Sequence, residues 1–310
     1  MSLTYLIKRF IQVIITSFLV VTVIFVAVRL SPGDPAEILT GTRGDIGYQH
    51  TYEYLKVFMG LDRPWSVQYV EYIKNIFTGN LGNSVYYPYP VLQMIKERLP
   101  NTLKLASLSI LITILIGIPL GIYCYIKEQT LIGRLLAWLA YSAQAMAEFW
   151  LGIVLVIIFS IKLKVLPSFG NESFVYIILP AFSIAIPLLA RVLRFTRTGL
   201  AEIMETDYIR TARSKGLSER MILYKHAFRN MMIPLVTDIG IRFGGLLGGM
   251  VVVEAVFKWP GMGSLMISAV QSRDYPLIEG CILVFSFLFL VVNMLIDISY
   301  LFIDPRIKYS

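Results

Sequence analysis

The chain has 310 residues, of which 56% are hydrophobic and 15% are charged, and its mean hydropathy is +0.69. Soluble proteins carry about 25% charged residues and about 45–50% apolar ones, so this composition excludes a disordered chain and a coiled coil and argues against a soluble enzyme. The two cysteines, Cys124 and Cys281, and the two histidines, His50 and His226, predict no disulfide framework and no metal site. The sequence predicts an all-α integral membrane protein.

Six apolar stretches are candidates for membrane-spanning helices, which need roughly 20 apolar residues to cross about 30 Å of hydrocarbon. They cover residues 10–30, 103–126, 135–161, 175–190, 235–257 and 280–303. The first stretch follows Lys8 and Arg9, as in a signal peptide. Its apolar run is longer than a signal core, however, and no small-x-small cleavage site follows it. We therefore expect a polytopic protein with six spans, the first of which is retained.

The distribution of basic residues predicts the orientation of these spans. Residues 191–234, between the fourth and fifth spans, contain nine Lys and Arg residues. Because short cytoplasmic loops are enriched in Lys and Arg, this loop and both termini are expected in the cytoplasm. The formal charge of +8 is then a topology signal, and no nucleic-acid partner is expected. The predicted location is the cytoplasmic membrane of a bacterium or an archaeon.

The spans divide the chain into three predicted regions. Residues 1–30 form an N-terminal tail with the first span, and residues 31–98 form an extracytoplasmic segment. Residues 99–310 form a core of five spans with a cytoplasmic loop at 198–234. Loops longer than about 15 residues are usually functional or disordered. The segment 31–98 is therefore either a loop folded onto the bilayer surface or a docking platform.

Motifs that would make the chain an enzyme are missing from the sequence. It contains no glycine-rich phosphate loop ending in Gly-Lys-Ser/Thr, no HExxH and no GxSxG. Catalytic residues and cofactors within this chain are therefore not predicted. Transport remains the leading functional class.

A polar stretch between the fourth and fifth spans has the pattern of two helices joined at a glycine. Thr206 or Asp207 can cap the first helix, Gly216 can end it in the left-handed conformation, and Ser218 can cap the second. Small and basic residues precede the glycine: Arg210, Thr211, Ala212, Arg213, Ser214 and Lys215. Small side chains let a partner surface approach closely, and basic ones favour an acidic groove. The alternative is a positive loop that only sets topology.

Several ordered motifs point to a known family. The loop reads Asp207-Tyr-Ile-Arg210-Thr-Ala-Arg-Ser-Lys215-Gly-Leu217, followed by His226-Ala-Phe-Arg229-Asn230. Other motifs are Leu30-Ser-Pro-Gly-Asp-Pro35, Leu99-Pro-Asn-Thr-Leu103, Glu254-Ala-Val-Phe-Lys-Trp259-Pro-Gly-Met-Gly263 and Arg273-Asp-Tyr-Pro276. Together they resemble the permeases of ABC importers, specifically the dipeptide/oligopeptide/nickel branch. Arg210-Thr211 stands where the general signature has Glu-Ala, a departure that resembles this branch's own variant.

The resemblance implies a half-channel that works with other chains. The expected partners are a second homologous permease, two cytoplasmic ATPase subunits, an extracytoplasmic solute-binding protein and membrane lipid. ATP and Mg²⁺ would bind to the ATPases. The expected solute is a dipeptide or oligopeptide, with nickel or metal chelates and glutathione-like solutes as alternatives within the family and an ATP-independent channel as the alternative class. The residues assigned to ATPase coupling are Asp207, Tyr208, Arg210, Thr211, Ala212, Arg213, Lys215, Gly216, Leu217 and Ser218.

Polar and small residues inside the predicted spans are further candidates, because charges in a membrane are costly. Asp238 and Arg242 are four residues apart and can pair on one helical face. Glu148 is expected to face protein or a wet cavity. The fifth span also has a smooth face of small residues: Gly240, Gly244, Gly245, Gly248 and Gly249. This face favours packing against the partner permease, and a glycine-lined translocation path is the alternative.

An extracytoplasmic motif is predicted after the fifth span. It consists of Glu254, Trp259, Pro260, Gly261 and Gly263. Glu254, like Lys104, lies close to the end of a span. We expect both side chains to extend their charges towards the membrane surface.

Overall fold

The computed structural model describes residues 3–30, 40, 52–54, 56, 57 and 62–303. These residues form helices joined by turns, and the pairing among them that resembles a strand is an isolated bridge between Asn83 and Pro90. The predicted all-α class is therefore confirmed for this part of the chain. The motif residues 31–35, His50 and residues 304–310 lie outside it.

Two long helices precede the core in the described part of the chain. The first, α1, covers Leu3–Leu30, and α2 covers Trp65–Phe77. They pack together through aromatic contacts, with the Phe25 and Tyr69 rings 5.1 Å apart in an edge-on arrangement. The hydroxyls of Thr22 and Tyr69 are 2.6 Å apart, within hydrogen-bond distance. The aromatic residues of α2 therefore attach it to α1.

The middle of the chain forms four helices. They are α3 (Val91–Ile126), α4 (Leu131–Gln144), α5 (Glu148–Leu155), which continues as a π-helix over Val156–Lys162, and α6 (Ile178–Met204), which follows a 3₁₀ turn at Phe174–Ile177. Beyond the first turn of each helix, α3 contains Pro100 and Pro119 and α6 contains Pro187, and none of them interrupts its helix.

The third predicted span is not one straight helix. The axes of α4 and of the helix from Glu148 to Lys162 differ by 110°. The bend lies at the exposed residues 145–147, where the helix breaks and restarts. A continuous span over 135–161 is therefore wrong, although the two arms together satisfy the length and composition of a span.

The remaining helices begin within the polar segment between the fourth and fifth predicted spans. They are α7 (Asp207–Ser214), α8 (Glu219–Met221), α9 (Phe228–Gly249), α10 (Val251–Val256), α11 (Met262–Gln271) and α12 (Tyr275–Ile303), and a π-helical turn over Ile222–Ala227 joins α8 to α9.

By length and hydropathy, three helices among the described residues can cross a membrane. These are Val91–Ile126, Phe174–Met204 and Tyr275–Ile296, and the bent α4–α5 pair makes a fourth if it counts as one span. Helix α9, which carries Asp238 and Arg242, is not among them. The six spans expected from the sequence are therefore not confirmed by this criterion, which finds three or four among the described residues.

Helix α6 is the centre of the molecule. In its most apolar window 56% of the residues are buried, against 33% in α3 and 22% in α12. Leu105 of α3, Ile184 of α6 and Phe257 form the main apolar cluster. A second cluster surrounds Ile209 and Ile222 next to the C-terminal half of α6, and a third surrounds Met262 and Cys281 near the start of α12. The two smaller clusters hold the turns described next in place.

Candidate functional site

The segment from α7 to α8 has the predicted helix–glycine–helix form. Helix α7 ends at Ser214, and Gly216 has a left-handed φ of +76°. The Leu217 amide donates to the Ala212 carbonyl, and the Gly216 amide donates to the Arg213 carbonyl at 2.9 Å. These two bonds form the Schellman motif that ends helices at a glycine. Nothing lies within 4 Å of a Cβ added at Gly216, so the turn requires glycine for its backbone conformation rather than for space.

The capping predictions for this segment are confirmed in part. The Ser218 hydroxyl accepts from the Met221 amide at 3.4 Å and caps α8. Thr206 occupies the capping position of α7, but its hydroxyl donates to the Ile203 carbonyl at 2.6 Å and makes no cap bond. The Asp207 carboxylate accepts instead from Arg210 Nη1 at 3.1 Å.

One face of α7 is buried within the chain itself. Ile209 is fully buried, and Ala212 is 8% exposed; both pack with Leu200 and Ile222. The prediction that Ala212 meets a partner surface is therefore wrong, because the side chain points into this protein's own core. Leu217 packs against the same cluster. The outward face is formed by Asp207, Tyr208, Arg210, Thr211, Arg213, Ser214, Lys215, Gly216 and Ser218.

Two polar contacts brace the turn. Arg213 donates from Nε and Nη2 to the two Glu219 carboxylate oxygens at 2.7 and 3.3 Å, across the glycine turn. This guanidinium lowers the pKa of Glu219 below its ordinary value. Asn230 Nδ2 donates to the Tyr208 hydroxyl at 2.8 Å and so connects α7 with α9. The exposed basic face is thus attached to two long helices, α6 through the apolar cluster and α9 through Asn230.

Glu254 is the centre of a buried hydrogen-bond network. The network lies at the C-terminal end of the α9–α10 pair, opposite the end that contacts α7. Glu254 is fully buried, so the expectation that it extends to the membrane surface is wrong. Its carboxylate accepts from the Thr102 hydroxyl at 2.6 Å, the Gly263 amide at 2.7 Å and the Ser264 amide at 3.0 Å. A Cβ at Gly261 would collide with this carboxylate. The carboxylate is therefore held by donors from α3 and α11.

The other residues of the motif reach the same turn of α3. Trp259 Nε1 donates to the Asn101 carbonyl at 3.1 Å, and Asn101 Nδ2 donates to the Pro260 carbonyl at 2.9 Å. The motif Leu99–Leu103 and the motif Glu254–Gly263, both noted in the sequence, therefore form one structural unit.

Polar contacts that the sequence analysis did not anticipate hold the segment before α3. The Ser84 hydroxyl donates to the buried Asp274 carboxylate. Arg29 Nη1 donates to Glu279 Oε1 at 2.9 Å, linking α1 with α12. Asp274 belongs to the sequence motif 273–276. The sequence therefore marked this residue as part of a family motif, but it did not predict that Ser84 would be its hydrogen-bond partner.

The Asp238–Arg242 pair predicted from spacing is confirmed. Arg242 donates from Nε and Nη2 to the two carboxylate oxygens at 2.7 and 2.6 Å. Arg191 was missed because it falls just outside the predicted fourth span, whereas α6 continues to Met204 and places it midway along the helix. Arg191 interacts electrostatically with Asp238, Arg242 and Glu148.

The glycine face of α9 packs against this chain's own last helix. A Cβ at Gly240 would collide with Ile296 of α12, and one at Gly244 would lie 3.0 Å from the Phe289 ring. For these two glycines, packing against a partner permease is therefore wrong. Gly245 has nothing within 4 Å of its Cβ position and remains open. The side-chain surroundings of Gly248 and Gly249 lie outside the described residues.

Comparisons with known proteins agree with this architecture. The family model "Binding-protein-dependent transport system inner membrane component" matches residues 117–309, and its N-terminal companion matches residues 2–106. Proteins named "Glutathione transport system permease protein GsiC" are similar over 308 residues, covering 99% of this chain and 100% of theirs. The one from Escherichia coli O6:H1 is 39% identical, and those from E. coli K12 and Pectobacterium atrosepticum are each 38% identical.

The fold is also found in solved structures. Two structures of inward-facing conformations of the MetNI methionine ABC transporter match with TM-scores of 0.60 and 0.57 at 16% and 17% identity. Each match covers 70% of this chain and 100% of the other. The family models together cover nearly all of the sequence, and the chain therefore belongs to the binding-protein-dependent transport system inner membrane component family, the permeases of ABC importers.

Proposed function

We propose that this permease subunit forms half of a translocation path for small peptides and that ATP hydrolysis by separate subunits drives it. The complex contains a second homologous permease, two cytoplasmic ATPases that bind ATP and Mg²⁺, and an extracytoplasmic solute-binding protein. The chain crosses the membrane six times, with α1, α3, the bent α4–α5 pair, α6, the α9–α10 pair and α12, and both termini are cytoplasmic. It lies in the cytoplasmic membrane of a bacterium or archaeon.

The exposed basic face of α7 and its glycine turn carry this proposal. The face presents Arg210, Arg213 and Lys215, and its underside is packed into the cluster with Leu200 of α6 and Met231 of α9. A partner that pushes on this face moves both helices, because the segment cannot shift without displacing the cluster. The acidic groove of an ATPase fits the charge of the face.

The solute assignment is supported by the curated relatives. Several are named as glutathione transport permeases, and they match over almost the full chain. Glutathione is itself a tripeptide. A small peptide solute, with glutathione-like compounds included, is the class that fits both the family and these relatives.

The coupling role is tested with Thr211→Trp in the complete complex. Thr211 is exposed, so the added ring leaves the fold intact but blocks the close approach of an ATPase. We expect loss of ATPase co-purification or of the stimulation of hydrolysis by solute-loaded binding protein. The matched control is Gln129→Trp, an exposed position in the turn between α3 and α4. Equal, normal activity of both variants would contradict the assignment.

A further inference from the structure

A cavity of about 410 Å³ lies between the start of α3, helix α11 and the turn that precedes α3. Its lining includes Tyr87 and Tyr89 from the turn, Glu97 and Arg98 from α3, and Ser264 and Leu265 from α11. Leu265 is buried, whereas Tyr89 and Glu97 are exposed, so the cavity leads from the core to the surface. Its volume falls within the range of about 300–1,000 Å³ that is usual for small-molecule sites.

Hydrogen bonds fix both sides of this cavity. On the side of the turn, the Tyr87 amide donates to the Ser84 hydroxyl at 2.7 Å, and the Ser84 amide donates to the Tyr89 carbonyl at 3.1 Å. On the side of α11, the Ser264 amide donates to the buried Glu254 carboxylate at 3.0 Å. A site that is held in shape in this way loses little conformational entropy when a ligand binds, which favours binding.

The cavity offers one charge of each sign to a ligand. Arg98 is half-buried, and its guanidinium forms no ion pair with the described part of the chain. The buried Glu254 carboxylate takes its hydrogen bonds from the other donors described above and not from Arg98. The exposed Glu97 carboxylate accepts from Gln93 Nε2 at 3.1 Å through Oε1. One guanidinium and one carboxylate in the lining favour a ligand that is itself a zwitterion.

The cavity lies at the end of the molecule opposite α7. Asn230, near the start of α9, contacts Tyr208 of α7, whereas Glu254 at the far end of the α9–α10 pair contacts Ser264 of the cavity lining. Helix α9 has 22 residues, which corresponds to a length of about 33 Å. Because the proposed function places α7 against the ATPases, the cavity is on the side from which the solute arrives.

We propose that this cavity is an entry site, which binds a short peptide by its carboxylate end before the peptide enters the translocation path. The proposal rests on the proposed function and adds to it a binding site and its contact residues. Arg98 takes the carboxylate, because its planar guanidinium can donate two parallel hydrogen bonds. The rings of Tyr87 and Tyr89 supply apolar contact area with a polar hydroxyl at one end. Glu97 takes the ammonium group.

The site is tested by protection of an introduced thiol in the complex of permeases and ATPases. Ser268→Cys places the thiol in the cavity lining, and Ser272→Cys, one turn further along the chain, is the matched control outside it. The native Cys124 and Cys281 are buried, so their reaction with a maleimide sets the background. The probes are triglycine and S-methylglutathione, each compared with the amide of its C-terminal glycine. We expect the acids to slow labelling of Ser268→Cys alone, and the amides to need about tenfold higher concentrations, because they lack the charge-assisted bonds.

Arg98→Gln should abolish the difference between acid and amide, and Arg98→Lys should keep part of it. The control is Lys96→Gln, at an exposed position of α3 outside the lining, which should keep all of it. Equal protection by acid and amide with Arg98 in place refutes the site, as does a difference that persists in Arg98→Gln.

Two further outcomes separate the site from the function on which it rests. Protection by solute-free binding protein, but by neither peptide, refutes a solute site and assigns the cavity to the docked protein. Normal peptide uptake by the complete complex in proteoliposomes, without any protection, refutes the site and leaves the proposed function intact. A complete complex that takes up neither peptide contradicts the proposed function instead.

Discussion

Arg29 and Glu279 form an ion pair of 2.9 Å between residues 250 positions apart in the sequence. Their side chains are 19% and 13% exposed. Arg29 also donates to Gln68 of α2 at 3.1 Å, and its guanidinium lies 3.6 Å from the centre of the Phe25 ring. A single guanidinium therefore connects α1, α2 and α12.

Removing only the cation of this pair is expected to be costly. Arg29→Met leaves the Glu279 carboxylate largely buried without a counter-charge, which costs about 3–5 kcal/mol for buried pairs. Arg29→Met/Glu279→Met removes both charges and should recover much of that loss. The measurement is the thermal midpoint of the complex in detergent. A double variant whose loss equals the sum of the two single losses would show that the two charges do not interact.

Because Ala212 is buried, the stability of variants at this position tests whether this face of α7 packs against the protein's own core or is open to a partner. Ala212→Leu adds three carbon atoms to a filled cluster, and overpacking of this kind costs about 1–3 kcal/mol. Ser214→Leu, at an exposed position two residues on, should leave the thermal midpoint almost unchanged. If the two variants are equally stable, Ala212 does not face the core.

The left-handed conformation at Gly216 predicts a specific order of variants. Gly216→Val places a β-branched side chain at φ +76°, where an L residue costs about 1–2 kcal/mol. Gly216→Asn should be tolerated better, because Asn visits this conformation readily. Thermal midpoints and hydrolysis stimulated by binding protein are measured together. A valine variant that performs as well as the asparagine variant would contradict the backbone argument, since space is available for both.

The Arg213–Glu219 pair is expected to make the stability of the turn depend on pH. Arg213 holds the pKa of Glu219 below 4.5, its ordinary value. Because the folded-state pKa is depressed, the pair stabilises the turn above about pH 4.5, and the contribution is lost as the pH falls through the folded pKa. We expect the difference in thermal midpoint between wild type and Glu219→Gln to shrink on acidification from pH 6. A difference that stays constant down to about pH 3 would rule the linkage out.

The features that could be predicted from the sequence are those set by residues that are close to one another along the chain. Gly216 and Ser218 encode their turn locally, and Asp238 with Arg242 is a pair set by helical spacing. Ala212 was placed on the wrong side of its helix, because a short helix with small and basic residues does not reveal which side the rest of the chain covers.

The parts that were not predictable depend on contacts distant in sequence. Glu254 looked like a charge near a membrane surface, and only α3 and α11 folding around it show that it is buried. Arg191 was invisible as a candidate because its helix extends further than its apolar run. Its neighbours Glu148 and Asp238 come from two other helices.

The hydrogen bond between Thr102 and Glu254 can form only late in the synthesis of the protein. The two residues are 152 positions apart, so the ribosome releases α3 well before the carboxylate exists. Until α10 and α11 arrive, the Thr102 hydroxyl is a polar group without its acceptor, and Asn101 likewise waits for Pro260. This end of the molecule closes only when the chain is nearly finished. Ribosome-bound intermediates that end before Glu254 should therefore expose residues 101–102 to modification, whereas the finished protein protects them.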